Sequence, residues 1–194
     1  MRTAYIALGS NLASPAGPPE ATMTAAANRL RRLGAEVGRS SLYSTRPVGF
    51  DDQPRFLNAV VALSTSIVPH ALLESLLLIE REFGRDRAAT VPNGPRTLDL
   101  DILLVDDLCV AEAGLLLPHP RIAERAFVLV PLAELAPQVL EPRLRKTAAE
   151  LLAALRAESP FDHDEIERVE STLWHTRGSD SHQAIAAGAD TSQH

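Results

Sequence analysis

The run of residues 98–105, Leu-Asp-Leu-Asp-Ile-Leu-Leu-Val, constrains the fold more than any other segment of the chain. Its aliphatic residues follow a Gly-Pro break, a pattern that predicts a β-strand. Successive side chains on a strand point to opposite faces, so Asp99 and Asp101 share one face while Leu100 lies on the other. The two carboxylates then stand roughly 7 Å apart along the strand. This spacing suits one or two hard cations held against a phosphate chain.

The same pair of acids has a second interpretation. Charged residues also protect an exposed sheet edge from pairing with another chain. Arg96 and Thr97 precede the acids and add a positive charge and a hydroxyl to the same segment. The short Asp-x-Asp pattern alone therefore leaves both a metal–phosphate site and a protected sheet edge open.

The order of the predicted elements indicates an α+β fold. Strands are predicted over residues 3–10, 36–43, 56–64 and 98–105, and helices over residues 20–33 and 69–83. This βαββαβ order is the ferredoxin-like arrangement, in which two helices cover one face of an antiparallel sheet. The second face is left for a ligand or for extra C-terminal helices. We predict such helices over residues 121–136 and after the capping box formed by Thr147 and Glu150.

The chain divides into a domain and a tail. Its 194 residues suit one domain, which we place at residues 1–158. Residues 159–194 form a polar, acidic tail whose last part is rich in Gly, Ser, Asp, His and Gln. Such a composition lacks the apolar surface that folding requires, so we expect a largely disordered tail, with Trp174 as its one residue suited to dock on the domain.

The composition argues against several classes of function. A formal net charge of −6 argues against a nucleic-acid partner, and no apolar run approaches the ~18 residues of a membrane span. Lys146 is the only lysine, so the chain has no P-loop, and arginines with a metal must neutralise any nucleotide phosphates. The single Cys109 has apolar neighbours and is expected to be a buried thiol. With no export signal recognised and one cysteine that cannot form an internal disulfide, we expect a cytoplasmic location. We also expect a monomer.

Four segments of the chain share a resemblance with one family. They are residues 5–12 (YIALGSNL), 43–59, 84–101 (ending in GPRTLDLD) and 118–132 (beginning with PHPR). In this order they closely resemble the 6-hydroxymethyl-7,8-dihydropterin pyrophosphokinase family of folate biosynthesis, over residues 3–137. The resemblance implies transfer of the terminal pyrophosphate of ATP to the hydroxymethyl group of the pterin, with release of AMP.

The resemblance also implies which residues handle ATP and metal. Asp99 and Asp101 are expected to bind two Mg²⁺ ions and to act in catalysis together with Arg87 and Arg96. The residues expected to bind ATP are Glu80, Arg87, Arg96, Ile102, His119 and Arg125. Two alternatives stay open: His119 stabilises its own loop, and Glu80 forms a helix-surface ion pair with Arg81 or Arg85.

A pterin is a flat heteroaromatic ring that requires aromatic faces and hydrogen-bonding partners at its edge. The resemblance implies a pterin site made of Thr45, Pro47, Val48, Phe56, Asn58 and Phe127. Phe56 and Asn58 lie two apart on a predicted strand, so they face the same side. Packing in the core is the alternative role of the two phenylalanines. The loop over residues 85–93, with Arg85 and Arg87 facing the triphosphate, is expected to close over both substrates.

Two other functions are compatible with the Asp-x-Asp pair. One is a metal-dependent phosphohydrolase, which would release phosphate from ATP without any pterin. The other is a non-catalytic ferredoxin-like module that binds a small metabolite, forms no AMP and does not require Asp99 or Asp101.

Overall fold

The architecture is built on antiparallel strands that helices cover on both faces. The computed structural model describes residues 1–47, 49, 52–86, 94–158 and 165–174. The strands are β1 (Arg2–Ser10), β2 (Ala35–Arg39), β3 (Leu42–Thr45), β4 (Phe56–Thr65), β5 (Asp99–Val105), β6 (Val110–Glu112), β7 (Leu115–Leu117), β8 (Leu140–Glu141), β9 (Lys146–Thr147) and β10 (Ile166–Val169). The helices are α1 (Pro19–Leu30), α2 (Pro69–Glu82), α3 (Ala126–Leu135) and α4 (Ala148–Glu158), with a 3₁₀ helix at Ile122–Glu124.

The main sheet has the strand order β10-β3-β4-β1-β5, and β2 also pairs with β4. All of its pairings are antiparallel. Strands β6 and β7 form a separate hairpin, as do β8 and β9. The predicted α+β fold with a ferredoxin-like βαββαβ core is thereby confirmed.

Two hydrophobic cores lie on the two faces of the sheet. Ile6 and Leu8 of β1 belong to the core beneath α1 and α2, whereas Tyr5 and Ala7 pack with α3 and α4 on the other side. This alternation is the one expected of a strand that is buried on both faces. The C-terminal helices therefore cover part of the second face, as the sequence predicts.

The helix boundaries follow from residues with fixed backbone preferences. Pro19 and Pro69 occupy the first turns of α1 and α2, where their missing N–H leaves no bond unmade. Gly84 follows α2 with φ of +80°, a conformation that favours glycine. The predicted capping box is present, since the Thr147 N–H donates to Glu150 Oε2 over 2.7 Å and the Glu150 N–H donates to Thr147 Oγ1 over 3.2 Å.

The strand predicted over residues 36–43 is two strands in the structure, so this prediction is wrong in detail. The chain leaves the β2 ladder at Ser40 and Ser41 before β3 begins. At this break, the N–H and hydroxyl of Ser41 both donate to the carboxylate of Glu134 on α3, over 2.8 and 2.7 Å. A side chain distant in sequence thus takes the place of a strand partner, which local alternation does not reveal.

Two smaller findings concern Cys109 and membrane association. Cys109 is exposed in the segment that joins β5 to β6, so the prediction of a buried thiol is wrong; its apolar neighbours Leu108 and Val110 are partly buried instead. In the part of the chain that the structure describes, no helix has the length and apolar character needed to cross a bilayer.

Part of the predicted tail packs on the domain. Strand β10 pairs with β3, which extends the main sheet by one strand. Trp174 is 4% exposed and belongs to the core beneath α1 and α2. Its Nε1–H donates to the Ser40 carbonyl over 2.7 Å, and the guanidinium of Arg39 stacks on its ring at 4.7 Å. For residues 165–174 the prediction of a tail outside the domain is therefore corrected; residues 159–164 and 175–194 lie outside the described residues.

The burial of Trp174 yields a test of this correction. We expect Trp174→Ala to lower the free energy of unfolding by about 3–5 kcal/mol, because it removes a large buried ring. The neighbouring Leu173 is 52% exposed, so Leu173→Ala should change stability by less than ~0.5 kcal/mol. Urea denaturation followed by circular dichroism measures both. Equal stabilities of the two variants would show that the segment does not pack as described.

Candidate active site

A cavity of about 360 Å³ opens at one end of the main sheet. Four strands contribute residues from the ends that meet there, namely the last residues of β1 and β3 and the first residues of β4 and β5. The segment from His119 to Val128, which contains the N-terminus of α3, supplies the opposite wall. The lining residues are Ala7, Leu8, Gly9, Thr45, Arg46, Gly49, Phe56, Asn58, Ala59, Arg85, Arg96, Asp99, Asp101, His119, Arg121, Arg125, Phe127 and Val128.

Gly9 forms the floor of the cavity between two predicted site residues. On β1 it lies opposite Asn58 of β4 on one side and Asp99 of β5 on the other. A Cβ atom on Gly9 would lie 3.2 Å from Asn58 Oδ1 and 3.7 Å from Asp99 Cβ. The absence of a side chain therefore leaves room above the sheet between the amide and the carboxylate. A glycine inside a strand pattern is the sequence signal for such a close approach.

The two acids of β5 face cationic side chains in the cavity. Asp99 forms an ion pair with Arg85, and its Oδ2 lies 3.3 Å from Arg96 Nε. Asp101 Oδ2 lies 3.9 Å from Arg125 Nη1 and 4.0 Å from His119 Nε2. Strand β5 ends the order of the main sheet, but both acids line the cavity. This position favours the interpretation as a site over that of a protected sheet edge.

Asp99 is connected to the interior of the protein through Arg85 and Glu80. Glu80, on α2, is 1% exposed and accepts hydrogen bonds from the Leu100 N–H over 2.8 Å and from Arg85 Nη1 over 2.9 Å. Arg85 Nη1 also donates to the Leu98 carbonyl over 2.9 Å. Glu80 thus forms the ion pair that the sequence left open, although this pair is buried. Arg85, the first residue of the loop predicted to close over the substrates, belongs to this network. Closure of the loop stays a prediction.

His119 is held as a neutral hydrogen-bond donor. Burial, followed by the charges of Arg125 and Arg121, lowers the pKa of His119 to about 4, so the ring is uncharged near neutral pH. The backbone N–H of Arg121 donates to Nδ1 over 3.1 Å, which leaves the ring proton on Nε2. The His119 N–H donates to the Leu103 carbonyl over 2.9 Å, so the loop itself is attached to β5. Nε2, on the side of Asp101, can therefore donate to an anion.

The cavity lining also includes two aromatic rings, Phe56 and Phe127, and the amide of Asn58. The guanidinium of Arg96 lies over the ring of Phe56 at 4.9 Å, and that of Arg125 lies over Phe127 at 5.6 Å. Asn58 Nδ2 donates to Thr45 Oγ1 over 2.8 Å. This bond fixes the amide orientation and leaves Oδ1 beside the glycine floor. Ring faces and a positioned amide are the groups that a flat heteroaromatic ligand requires.

The structure brings together nine of the predicted site residues around this cavity: Thr45, Phe56, Asn58, Arg96, Asp99, Asp101, His119, Arg125 and Phe127. Glu80 is buried behind Arg85, and Ile102 packs in the core beneath α1 and α2; neither lines the cavity. Pro47 is not among the lining residues either. Arg87, Val48 and the remaining loop residues 88–93 lie outside the described residues. Sequence reasoning assigned no site role to Gly9, Arg46 or Arg121, which also line the cavity.

The charge of the cavity has the opposite sign to that of the whole chain. Five arginines and two aspartates are among its lining residues, whereas the chain has a formal net charge of −6. A cleft lined by one sign of charge concentrates ligands of the other sign. The cavity therefore favours a polyanion, and its two carboxylates favour a hard cation beside it.

The sequence that forms this cavity also matches the model of a known protein family. The model described as 7,8-dihydro-6-hydroxymethylpterin-pyrophosphokinase (HPPK) matches residues 5–137. The chain belongs to this family. The resemblance seen in its four segments is thereby confirmed, and the matched range contains every residue that lines the cavity.

Curated relatives from three bacteria carry the name 2-amino-4-hydroxy-6-hydroxymethyldihydropteridine pyrophosphokinase. The protein from Bacillus subtilis is 47% identical over 138 residues, which are 70% of this chain and 79% of that protein. The protein from Pseudomonas aeruginosa is 47% identical over 152 residues, or 77% and 90% of the two chains. The protein from Methylorubrum extorquens is 42% identical over 172 residues, or 88% and 100%.

Solved structures support the fold. The structure of wild-type Plasmodium falciparum HPPK-DHPS matches with a TM-score of 0.69 at 14% identity, over 88% of this chain and 48% of that chain. The HPPK-family chain thus spans about half the length of this structural neighbour, and at such low identity the likeness concerns the fold alone. It confirms the ferredoxin-like arrangement of the HPPK core.

The burial of Glu80 allows its structural role to be tested. We expect Glu80→Gln to lower the free energy of unfolding by about 1–3 kcal/mol, because it removes one of the two acids that neutralise Arg85 and weakens a buried hydrogen bond to a charged group. Glu82 on the same helix pairs with Arg29 over 2.7 Å, with a side chain that is 48% exposed. Glu82→Gln should therefore change stability by only ~0–1 kcal/mol. A loss below ~1 kcal/mol for Glu80→Gln in urea denaturation would contradict the buried network.

Proposed function

We propose that this chain transfers pyrophosphate from ATP to the hydroxymethyl group of 6-hydroxymethyl-7,8-dihydropterin, giving AMP and the pterin diphosphate. The observation that carries this proposal is one cavity in which paired carboxylates and arginines adjoin an aromatic and amide surface. The first part suits a metal-bound triphosphate, and the second suits a pterin. Membership of the HPPK family and the names of the bacterial relatives support the same activity.

Asp99 and Asp101 are the proposed ligands of Mg²⁺. Magnesium is commonly held by one or two carboxylates while phosphate oxygens and waters complete its octahedron. The donor set fits this habit, since two carboxylates on one strand line a cavity beside arginines suited to phosphate oxygens. We propose two ions because the family resemblance implies two, held by the carboxylates that line the cavity. When bound, Mg²⁺ neutralises phosphate charge and aligns the reacting oxygens.

Arg96, Arg125 and His119 are the proposed contacts of the triphosphate. The two arginines adjoin the acids of β5, and a guanidinium binds phosphate oxygens in a bidentate manner. His119 contributes the neutral Nε2–H without adding repulsion between cations. Arg87 keeps its proposed role in ATP binding and catalysis by family resemblance. For Glu80 we propose an indirect role through Arg85, because its buried carboxylate accepts two hydrogen bonds within the protein.

Phe56, Phe127 and Asn58 are the proposed contacts of the pterin, together with Thr45, Pro47 and Val48. Asn58 Oδ1 stands above the glycine floor, where it can accept a hydrogen bond from a donor at the pterin edge. The rings supply apolar faces for the heterocycle. Because Arg96 and Arg125 stack on these same rings, the hydroxymethyl group of a pterin bound there would lie close to the phosphate-binding arginines.

The proposed reaction is an in-line displacement at the β-phosphorus of ATP. The pterin hydroxyl oxygen forms a bond to this phosphorus. The bond between the β-phosphorus and the oxygen that bridges it to the α-phosphorus breaks, and AMP leaves with that oxygen and the electron pair. The hydroxyl proton passes to a carboxylate or to water. Arg96 and Arg125 stabilise the charge that develops on the phosphoryl oxygens, and the chain otherwise acts by holding both substrates in line.

We propose that the enzyme works as a monomer in the cytoplasm, with small-molecule substrates as its partners. The acidic net charge disfavours a nucleic-acid partner. The cavity includes both proposed substrate-binding surfaces, and the assignment as a monomer stays a prediction.

The acids of β5 provide the decisive test of this activity. With ATP, Mg²⁺ and the hydroxymethyl dihydropterin, we expect the wild type to form AMP. Asp99→Asn and Asp101→Asn should each reduce turnover by more than about 100-fold, since each ~1.4 kcal/mol added to the barrier costs a factor of ten. Asp107→Asn is the matched control, because Asp107 is exposed in the turn after β5. Liquid chromatography of the AMP formed gives the turnover rate of the wild type and of the three variants.

Turnover of both acid variants within about tenfold of wild type would contradict the metal model. Phosphate release from ATP that is independent of the pterin would favour the phosphohydrolase instead. Binding of both ligands without AMP formation would favour the metabolite-binding module.

The pterin contacts make a separate prediction. Phe56→Ala and Asn58→Ala should each weaken pterin binding by about 1–3 kcal/mol, through loss of a stacking face or of an edge partner. ATP binding should change much less, and calorimetric titration of each variant with each ligand measures the difference. An equal loss for the two ligands would indicate disruption of the cavity as a whole rather than loss of a pterin contact.

A further inference from the structure

Arg121 lines the same cavity as His119 and Arg125 and has no role in the function proposed above. Its backbone is fixed at the start of the 3₁₀ helix, where its N–H donates to His119 Nδ1 over 3.1 Å and its carbonyl accepts from the Glu124 N–H over 3.3 Å. The base of the side chain is therefore anchored beside His119. The side chain itself is 52% exposed, so it has room to move.

The ion-pair partner that the described part of the chain provides for Arg121 is Glu124. Arg121 Nε lies 3.2 Å from Glu124 Oε2, and the glutamate side chain is 63% exposed. Exposed ion pairs of this kind contribute little to stability because water and salt compete with them. Arg121 can therefore exchange Glu124 for a more highly charged anion at small cost to the fold.

The positive charge of Arg121 already acts on the cavity. Arg121 and Arg125 flank the 3₁₀ helix Ile122–Glu124 and both line the cavity. Their like charges therefore act on the same space and repel each other. An anion placed between these side chains would remove that repulsion, and a triphosphate carries several negative charges in a compact chain.

We propose that Arg121 is a further binding residue for the triphosphate of ATP, and that Glu124 competes with this anion for the Arg121 guanidinium. The inference rests on the proposed function in naming ATP as the anion. It goes beyond that function because it assigns opposite effects on ATP affinity to Arg121 and Glu124, the two members of one ion pair. Loss of Arg121 should weaken ATP binding, whereas loss of the Glu124 charge should strengthen it.

The test is a double-mutant cycle on the full chain, with MgATP affinity measured by titration calorimetry at constant salt. We expect Arg121→Gln to weaken binding about tenfold, which corresponds to ~1.4 kcal/mol. Glu124→Gln should tighten binding by about two- to fivefold. The gain from Glu124→Gln should vanish in the double variant, because the effect of Glu124 passes through Arg121. Pterin affinity should be unchanged in all three variants.

Two further variants serve as controls. Arg121→Lys keeps the charge but loses the planar fork, so its ATP affinity should lie between those of the wild type and Arg121→Gln. Arg29→Gln removes the same charge from another partly exposed pair, that of Arg29 with Glu82, which lies outside this cavity. Its ATP affinity should equal that of the wild type. Urea denaturation of each variant shows whether a change in affinity reflects a loss of folded protein.

Three outcomes would overturn the inference. Arg121→Gln binding MgATP within about twofold of Arg29→Gln would show that Arg121 is not a contact. Weaker binding in both Arg121→Gln and Glu124→Gln would show that the pair serves only to stabilise the 3₁₀ helix. A gain from Glu124→Gln that persists without Arg121 would show that the glutamate acts on the whole cavity rather than through this arginine.

Inorganic tripolyphosphate, used as a second probe, separates this inference from the proposed function. If wild type binds tripolyphosphate, Arg121→Gln loses that binding and no AMP forms with the pterin, the anion site stands and the pyrophosphokinase proposal fails. If wild type forms AMP and Arg121→Gln binds both probes as the wild type does, only the role of Arg121 is refuted.

Discussion

The chain of charges from Glu80 through Arg85 to Asp99 joins the active end of the sheet to the helical layer beneath it. One nitrogen of Arg85 bonds to Glu80 on α2, to the Leu98 carbonyl and to Asp99 on β5. Because α2 is itself fixed by apolar residues in the core, the position of Asp99 is set by packing that begins outside the cavity. Either acid can neutralise the arginine, and the two together fix its position between α2 and β5.

The floor of the site depends on a different constraint, the lack of a side chain at Gly9. Asn58 and Asp99 lie on either side of this residue across three neighbouring strands, so the surfaces proposed for the pterin and for the triphosphate meet above a glycine. The positive walls then act in a small volume in which water screens charge less than at the open surface. Close contact between a pterin surface and a phosphate surface is what transfer between two bound substrates requires.

Local sequence patterns predict those features that depend on neighbouring residues. The alternation around Asp99 and Asp101, the prolines that begin α1 and α2, and the capping box at Thr147 all follow from rules that act within a few residues. The features that sequence reasoning missed depend on contacts between distant residues. The break between β2 and β3 is stabilised by Glu134 from α3, and Arg85 binds Asp99 of β5 in addition to Glu80, the partner that the sequence left open. Burial was also mispredicted for two residues: Glu80 is buried although it was expected at a helix surface or at ATP, and Cys109 is exposed although it was expected to be buried. Tertiary packing, which local sequence does not reveal, decides both.

The C-terminal segment, residues 165–174, contacts the proposed pterin surface more directly than the proposed phosphate surface. Strand β10 pairs with β3 up to Thr45, and the Arg46 N–H donates to the Glu165 carbonyl over 3.1 Å. These bonds lie immediately before the loop that resembles the pterin-reading segment of the family, whereas the acids of β5 lie at the opposite side of the sheet order. The family match ends at residue 137, so this chain uses residues beyond the matched region to hold the strand that carries Thr45.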